Sequence, residues 1–315
     1  MKHFLKETDF TKEEIKEVFS LATTYKKGRG RDVAPFLQGQ TWGLLFYKNS
    51  TRTRVSFEVG IGELGGRTVY LDKNAMQIDR GETLHDTAKV LSRYLSGLVI
   101  RTFGHEIVEE IAEYASIPVV NGLTDFLHPC QIYSDAFTIA EKLGDPNAPF
   151  ESLAGKKLAF LGDTSCNMAN SWILGGAMLG MEIALAGPPD HQPGPEASAL
   201  LKQDEFPGTF FFTTEPSEAV MDADVVYTDV WVSMGCEDEE ESRLSKMRPY
   251  SVTTDLLSQA KPDALFMHCM PTHPGLEVSQ EVLDSPQSII FDQAENRLHT
   301  QKAIVTLLAR EASAS

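Results

Sequence analysis

The chain has 315 residues, of which 42% are hydrophobic and 23% charged, so one large or two ordinary domains with a sizeable core are expected. The formal net charge of −17 argues against a general nucleic-acid binder, although a local arginine cluster could still hold an anionic substrate. The four dispersed cysteines, the lack of a signal-peptide core and the lack of a membrane-length apolar run lead us to expect a cytoplasmic protein without a membrane partner.

Segments typical of strands and of helices alternate along the first half of the chain. Thr11 and Glu14 form a capping box that opens the first helix. A polar loop at 72–81 and a long helix at about 131–143 are also predicted. Short apolar runs predict four buried strands, at residues 42–47, 68–71, 98–100 and 117–120.

A second alternating series follows the loop 144–149, whose glycine and prolines mark the expected domain boundary. Two doubly wound parallel-sheet domains of the α/β class are therefore predicted. Open parallel sheets bind ligands beyond the carboxyl ends of their strands, so we expect the active site in the cleft between the domains. The predicted strands of this series are 157–161, 182–186, 209–212, 225–227, 264–267 and 289–291, followed by a last helix at about 295–310.

Residues 50–54, Ser-Thr-Arg-Thr-Arg, lie where the first predicted strand ends and a helix begins. Such a position presents free backbone N–H groups and the positive end of the helix dipole. Three hydroxyls and two guanidiniums add donors, so the segment suits a phosphate group. The alternative is that Ser50 or Thr51 only caps the helix and the arginines are solvated.

Three further polar segments follow predicted strands. Arg101 comes directly after the third strand, where a charged side chain pairs either with another residue or with a ligand. His128 and Gln131 belong to a His-Pro-Cys-Gln run, and a lone histidine before a helix is more often structural than catalytic. Residues 162–171 lack the Gly-x-Gly-x-x-Gly pattern of a dinucleotide loop, which weakens a dehydrogenase interpretation.

Two segments in the second series carry functional residue types with equally plausible structural explanations. Asp229 opens the run Asp-Val-Trp-Val-Ser-Met-Gly, which alone could be an acidic strand end beside a buried methionine. Cys269 belongs to His-Cys-Met-Pro, and a cysteine in that setting is most often a small buried hydrophobe. The residues alone leave both alternatives open.

In this order, the motifs resemble the aspartate and ornithine carbamoyltransferase family over nearly the whole chain. Ser-Thr-Arg-Thr-Arg followed by Val-Ser-Phe-Glu is similar to the family's carbamoyl phosphate loop, and Arg101, His-Pro-x-Gln and residues 295–301 are similar to its other motifs. Residues 229–235 and 268–271 resemble the ornithine branch. Two loop positions depart from that branch, Arg80 and Pro274.

The resemblance implies transfer of the carbamoyl group of carbamoyl phosphate to the δ-amine of L-ornithine, giving L-citrulline and phosphate without a metal or organic cofactor. It implies that residues 1–145 bind carbamoyl phosphate, that 150–294 bind ornithine, and that a helix at about 295–315 packs back onto the first domain. The implied carbamoyl phosphate site is Ser50, Thr51, Arg52, Thr53, Gln77, Arg101, His128, Gln131, Cys269, Met270 and Arg297. The implied ornithine site is Asn167, Asp229, Ser233 and Met234, and the implied catalytic residues are Arg101, His128, Cys269 and Arg297.

The resemblance also implies individual roles. His128 is expected to donate to the carbonyl oxygen, on which negative charge grows in the transition state, and Gln131 to hold the carbamoyl NH2 through its side-chain oxygen. Asn167 and Asp229 are expected to bind the α-carboxylate and the α-ammonium. The Cys269 sulfur is expected beside the δ-amine, which must be neutral to attack.

Gln77 is expected, by the same resemblance, to reach the phosphate site of a neighbouring subunit in a homotrimer with shared active sites. The nearest rival function is a sister transcarbamoylase that acts on putrescine or an acylated ornithine. A rival from another class is a non-catalytic phosphate or amino-acid sensor on the same fold. The sequence leaves open whether the reaction serves arginine biosynthesis or the catabolic arginine deiminase route.

Overall fold

The computed structural model describes residues 1–31, 33–72, 76, 81–201, 206–231 and 240–314. The chain divides into two compact units, and each carries its own parallel sheet. The first unit is Met1–Phe137 with Glu295–Ser315, and the second is Thr138–Ala294. The predicted class, two α/β domains with parallel sheets, is confirmed.

The first unit holds a sheet in which the described strands run parallel in the order β2-β1-β3-β4. The four strands predicted in the first half of the chain are confirmed, and so is the capping box, because the Thr11 hydroxyl accepts from the Glu14 N–H. Its elements are α1 (Lys12–Gly28), β1 (Thr41–Phe46), α2 (Arg52–Glu63), β2 (Arg67–Asp72), α3 (Leu84–Tyr94), β3 (Gly97–Arg101), α4 (His105–Tyr114), β4 (Val119–Leu123), the first part of α5 (Pro129–Leu143) and most of α12 (Ile290–Ala314).

The register of this sheet brings polar segments to one edge. Phe46, the last residue of β1, pairs with Arg101 at the end of β3, and Arg101 pairs in turn with Leu123 at the end of β4. The segments that follow these three strands therefore start side by side. They are the segments that contain Ser50, Arg101 and His128.

Helices α2 and α12 pack closely within the first unit. A Cβ added at Gly60 of α2 would lie 2.9 Å from the Lys302 Cγ of α12, so glycine permits this approach. Buried Lys302 then donates to Glu63 Oε2 at 2.7 Å. Since α2 begins at Arg52 and α12 carries Arg297, this packing fixes the two predicted site arginines on adjacent helices.

The second unit holds a sheet whose described strands run parallel in the order β7-β6-β5-β8-β9. β8 and β9 are neighbours, and Thr228 pairs with His268 at their carboxyl ends. The elements are β5 (Lys157–Leu161), α6 (Asn167–Leu179), β6 (Glu182–Ala186), α7 (Pro195–Leu201), β7 (Thr209–Thr213), α8 (Pro216–Val220), β8 (Val225–Thr228), α9 (Glu240–Met247), α10 (Thr254–Leu257), β9 (Leu265–His268) and α11 (Gln280–Leu283).

The strand predicted at 289–291 is wrong. Ser288 makes a single bridge to Phe266 of β9, and α12 begins at Ile290. A three-residue apolar run fits a buried helix start as well as a strand, and here the helix forms. Within the described part of the chain, none of the helices combines the length and apolarity that a membrane crossing requires.

Candidate active site

The polar run after β1 separates into residues with different surroundings. Thr51 takes a helical backbone conformation at the N-cap of α2 and makes no capping bond through its side chain, so the capping alternative fails for Thr51. Arg54 lies with its guanidinium 3.9 Å from the Tyr70 ring centroid and pairs with Glu58 at 3.5 Å. Thr53 is buried, and Ser50 and Arg52 are half-buried beside it.

Arg297 joins three elements of the first unit. Its Nη1 donates to Gln131 Oε1 on α5, and its Nη2 donates to Thr53 Oγ1 on α2 at 3.1 Å. All three side chains are buried. A charge-assisted hydrogen-bond network of this kind holds the guanidinium in one orientation. The structure therefore brings together Thr53, Gln131 and Arg297, as the sequence predicts.

Gln301 is a neighbour of Arg297 to which the sequence assigned no role. It lies one turn further along α12, and in the amide orientation that satisfies both of its ends, its oxygen accepts from Arg297 Nη2 at 2.8 Å and from Nε at 3.0 Å. Its nitrogen then donates to Ser56 Oγ at 2.5 Å. The i, i+4 spacing from Arg297 was the available signal.

His128 lies among three positive charges. Burial, together with the guanidiniums of Arg297, Arg101 and Arg52, holds the pKa of His128 well below its usual range. The imidazole is therefore neutral near pH 7 and carries one N–H donor. Three arginines around a neutral donor suit an anion that also offers an acceptor oxygen.

Lys48 is a second residue that the sequence analysis missed. It follows β1 and is buried, and its ammonium pairs with Asp125 and lies 4.3 Å from the Phe103 ring centroid. Asp125 precedes His128 in the loop after β4, and its N–H donates to the Phe103 carbonyl at 2.8 Å. Lys48 thus ties together the three strand-end segments of the first sheet. A lysine directly after a buried strand was the available signal.

In the second unit, Asp229 and Cys269 follow the adjacent strands β8 and β9 and meet. The Cys269 thiol donates to Asp229 Oδ1 at 3.0 Å, and the same oxygen accepts from the Val230 N–H at 2.8 Å. Desolvation by the surrounding protein raises the pKa of Asp229, and the nearby His268 and the Cys269 hydrogen bond oppose that rise. The pair offers a carboxylate and a sulfur at the same point.

His268 supports the segment that carries Cys269 and Met270. Its Nδ1 accepts from the Met270 N–H at 2.8 Å, and its Nε2 lies 3.4 Å from Glu277 Oε1, with both side chains fully buried. These contacts tie Met270, whose φ of 62° lies in the left-handed region, to the buried pair of His268 and Glu277. Met270 is thereby placed next to the Asp229–Cys269 pair.

The described residues offer one set of side chains with metal-ligand potential near this site. Ligand atoms of Asp229, His268 and Cys269 lie within 4.8 Å of one another. A cation bound through the sulfur and Nδ1 would have to displace the thiol's hydrogen bond to Asp229 and the Met270 hydrogen bond to His268.

Asn167 is half-buried and opens α6, the helix that follows the central strand β5 of the second sheet. The loop before it is held by Asp163, whose Oδ1 accepts from the Ser165 N–H at 3.0 Å and whose Oδ2 accepts from Arg243 Nη1 at 2.8 Å. Arg243 belongs to α9, so this ion pair joins the loop before α6 to α9. Sequence analysis gave Arg243 no role.

Three of the predicted site residues, together with one of the two departures from the ornithine branch, lie outside the described part of the chain. They are Gln77, Ser233, Met234 and Arg80. Of the other predicted residues, the first unit groups Ser50, Thr51, Arg52, Thr53, Arg101, His128, Gln131 and Arg297, and the second groups Asn167, Asp229, Cys269 and Met270.

Two domains described for one enzyme family match the chain. The description "Aspartate/ornithine carbamoyltransferase, carbamoyl-P binding domain" fits residues 2–141, and "Aspartate/ornithine carbamoyltransferase, Asp/Orn binding domain" fits residues 154–308. A curated relative, ornithine carbamoyltransferase of Methanoculleus marisnigri, is 47% identical over 315 residues, covering 100% of this chain and 99% of its own. That of Bifidobacterium longum subsp. infantis is 48% identical, covering 99% and 96%.

Solved structures agree with these sequence matches. Ornithine carbamoyltransferase from Pyrococcus furiosus superimposes with a TM-score of 0.91 at 44% identity, covering 98% of this chain and 97% of its own. The anabolic enzyme of that name from Campylobacter jejuni gives a TM-score of 0.88 at 38% identity, covering 99% and 100%. Fold, strand-end arginines and full-length similarity lead to one conclusion: the chain belongs to the aspartate/ornithine carbamoyltransferase family.

Proposed function

We propose that this protein transfers the carbamoyl group of carbamoyl phosphate to the δ-amine of L-ornithine, giving L-citrulline and phosphate. The observation that carries the proposal is the group of three arginines, Arg52, Arg101 and Arg297, whose charges act together on the neutral, buried His128. Full-length relatives named for this activity support the same substrate pair. The chemistry is acyl transfer by orientation and preorganised donors, with no metal or organic cofactor.

Carbamoyl phosphate is assigned to residues 1–145 and the helix at about 295–315. Ser50, Thr51, Arg52, Thr53 and Arg101 hold the phosphate through hydroxyls, guanidiniums and the N-terminus of α2. His128, as a neutral donor, faces the carbonyl oxygen. Gln131 accepts from the carbamoyl NH2. Arg297, which donates to the same Gln131 oxygen, also contacts the carbamoyl group. Donors aimed at the developing oxyanion lower the barrier.

Ornithine is assigned to residues 150–294. The Asp229 carboxylate pairs with the α-ammonium, and Asn167 donates to the α-carboxylate. Ser233 and Met234 complete the amino-acid site in this proposal. Cys269, held by Asp229, and Met270 border the point where the δ-amine attacks. The δ-ammonium must lose its proton before the amine attacks. We assign the Cys269 sulfur as the group that accepts this proton, while the thiol proton passes to Asp229 along their hydrogen bond.

A homotrimer in the cytoplasm, with active sites shared between subunits, is the assembly we propose. Gln77 of one chain would reach the phosphate site of the next, so that closed cyclic symmetry completes every site. Exposed apolar side chains on α2 support self-association, since Val55 and Val59 are 52% and 38% exposed one turn apart. They follow Arg52 on the same helix, so a second copy bound there would lie beside the phosphate segment.

A product assay tests the proposed function directly. Purified protein with carbamoyl phosphate and ornithine should form citrulline and phosphate in equal amounts, and omission of either substrate should abolish citrulline. The Arg297→Ala variant is the negative control. It removes the residue that joins three elements of the first unit, so it should form much less citrulline. A folded wild-type protein that forms no citrulline would overturn the proposal and favour a non-catalytic sensor of phosphate or amino acid.

A further inference from the structure

The side-chain amide of Gln131 lies between two partners of opposite hydrogen-bonding character. Its Nε2 donates to Asp135 Oδ1 at 2.8 Å, and its Oε1 accepts from Arg297 Nη1. Gln131 and Asp135 are four residues apart on α5, so they share one face of the helix. All three side chains are buried, with exposed fractions of 2%, 0% and 3%.

We propose that Asp135 is a positioning residue that sets the orientation of the Gln131 amide, so that an acceptor oxygen faces Arg297 and the carbamoyl amine. The inference rests on the proposed carbamoyl transfer. The Asp135 Oδ1 accepts from the Gln131 Nε2, so the amide nitrogen faces Asp135. A guanidinium has only donors, so the amide oxygen must face Arg297. The two partners thus fix the same orientation from opposite ends.

The opposite orientation would be costly with Asp135 in place. Turning the amide by 180° would set its NH2 against the guanidinium and its oxygen against the carboxylate, so both of the hydrogen bonds that Gln131 makes here would be lost. In the observed orientation, Gln131 Oε1 has two lone pairs. It can therefore accept from Arg297 and also from the NH2 of carbamoyl phosphate.

This geometry makes Asp135 a determinant of which acyl phosphate the site prefers. Carbamoyl phosphate carries an NH2 where acetyl phosphate carries a methyl group, and the two share the phosphate and the carbonyl oxygen. An acceptor oxygen held at Gln131 can hydrogen-bond the NH2 of carbamoyl phosphate but not the methyl group of acetyl phosphate. A site built to hydrogen-bond a substrate group discriminates against an analogue that lacks it. The preference for carbamoyl over acetyl phosphate therefore reports the orientation of the amide.

The test is the ratio of two affinities in the Asp135→Asn variant. The asparagine amide can offer either a donor or an acceptor to Gln131, so it removes the constraint at this end of the amide while keeping the shape, and Arg297 alone then favours the observed orientation. The KM for carbamoyl phosphate and the inhibition constant of acetyl phosphate are measured at saturating ornithine. We expect the preference for carbamoyl phosphate to fall about threefold, because the amide is then held at one end only and its hydrogen bond to the carbamoyl NH2 is weakened, with little change for acetyl phosphate. Gln131→Ala should lose the same preference, and the double variant no more than Gln131→Ala.

Asp9→Asn is the matched control. Its carboxylate accepts from the backbone N–H groups of Leu5 and Lys6 at 2.6 and 2.9 Å in the same unit, and these bonds do not involve Gln131, so the substitution should leave the ratio unchanged. If Asp135→Asn does not fold, Asp135→Ser serves in its place. A folded variant with the wild-type ratio, or with equal losses for both ligands, overturns the inference. The proposed function fails separately, if the wild-type protein makes no citrulline.

Discussion

The Cys269 thiol donates to Asp229 Oδ1 across 3.0 Å, joining the ends of the adjacent strands β8 and β9. Their contact could not be predicted from the sequence, because the two residues are 40 positions apart and each has an ordinary structural explanation. The parallel register that pairs Thr228 with His268 brings them together. In the proposed mechanism, the carboxylate holds the sulfur at the point where the δ-amine attacks.

The first prediction concerns Cys269. Cys269→Ala should raise the KM for ornithine and lower kcat, together by about tenfold or more in kcat/KM, because a hydrogen-bonded group beside the amine is removed. The KM for carbamoyl phosphate should stay nearly unchanged. Cys130→Ala is the control, since that thiol is buried in the first unit with its pKa raised to about 12. Wild-type ornithine kinetics in Cys269→Ala across the pH range would restore the interpretation as a buried hydrophobe.

Asp229→Asn should separate activity from stability. The variant should lose at least about tenfold in kcat/KM for ornithine, since a neutral amide cannot pair with the α-ammonium. Near pH 7, however, the variant should be more stable than the wild type. The folded-state pKa of Asp229 is raised, so the folded protein binds the proton more tightly than the unfolded chain. Ionisation therefore opposes folding as pH rises above the unfolded pKa.

The measurement for Asp229 is thermal unfolding at two pH values. Near pH 7, Asp229→Asn should melt at a higher temperature than the wild type, and the gain should shrink at a pH below the unfolded pKa of an aspartate. Equal melting temperatures near pH 7 would show that desolvation of this carboxylate costs little in the fold.

His128 should remain neutral throughout the working range. Because its pKa is lowered in the fold, its ring signals should not titrate between pH 6 and 8 in an NMR experiment. The unfolded chain binds a proton at His128 near pH 6.5, so this residue makes the fold less stable as pH falls below that value. His128→Ala should also lower kcat by about a hundredfold, as the loss of an oxyanion donor does. A titration midpoint near 6.5 would contradict the account.

The shared active site is tested by subunit complementation. Arg52→Ala and Gln77→Ala should each impair activity severely. When the two variants are unfolded and refolded together, some sites receive Arg52 from one chain and Gln77 from its neighbour, so activity should reappear in the mixture and in neither parent alone. A mixture that stays at the parents' level, while hybrid oligomers are demonstrated, would show that Gln77 serves its own chain.

Patterns along the sequence were enough to predict the sheets and the strand-end motifs. Alternation of apolar runs identified the four strands of the first sheet, and the Ser-Thr-Arg-Thr-Arg run identified the start of α2. Short runs were ambiguous, and residues 289–291 became the start of a helix because three apolar residues carry no period.

Side-chain partnerships could not be predicted, since they depend on contacts between distant segments. Residue type alone does not separate Arg52 from Arg54, and the family resemblance named only Arg52. The fold adds the physical difference, because Arg54 lies over Tyr70 while the charge of Arg52 acts on His128. Lys48 and Asp125 are likewise joined by the meeting of strand ends. Their roles emerge from parallel register and burial rather than from local pattern.

The central claim is substrate choice, and a panel of amines tests it most directly. With saturating carbamoyl phosphate, kcat/KM is measured for ornithine, putrescine, aspartate and acetylornithine under one set of conditions. We predict the highest value for ornithine by a wide margin, because putrescine lacks the carboxylate and α-ammonium for which Asn167 and Asp229 are placed. Faster carbamoylation of any of the other three amines would contradict the account.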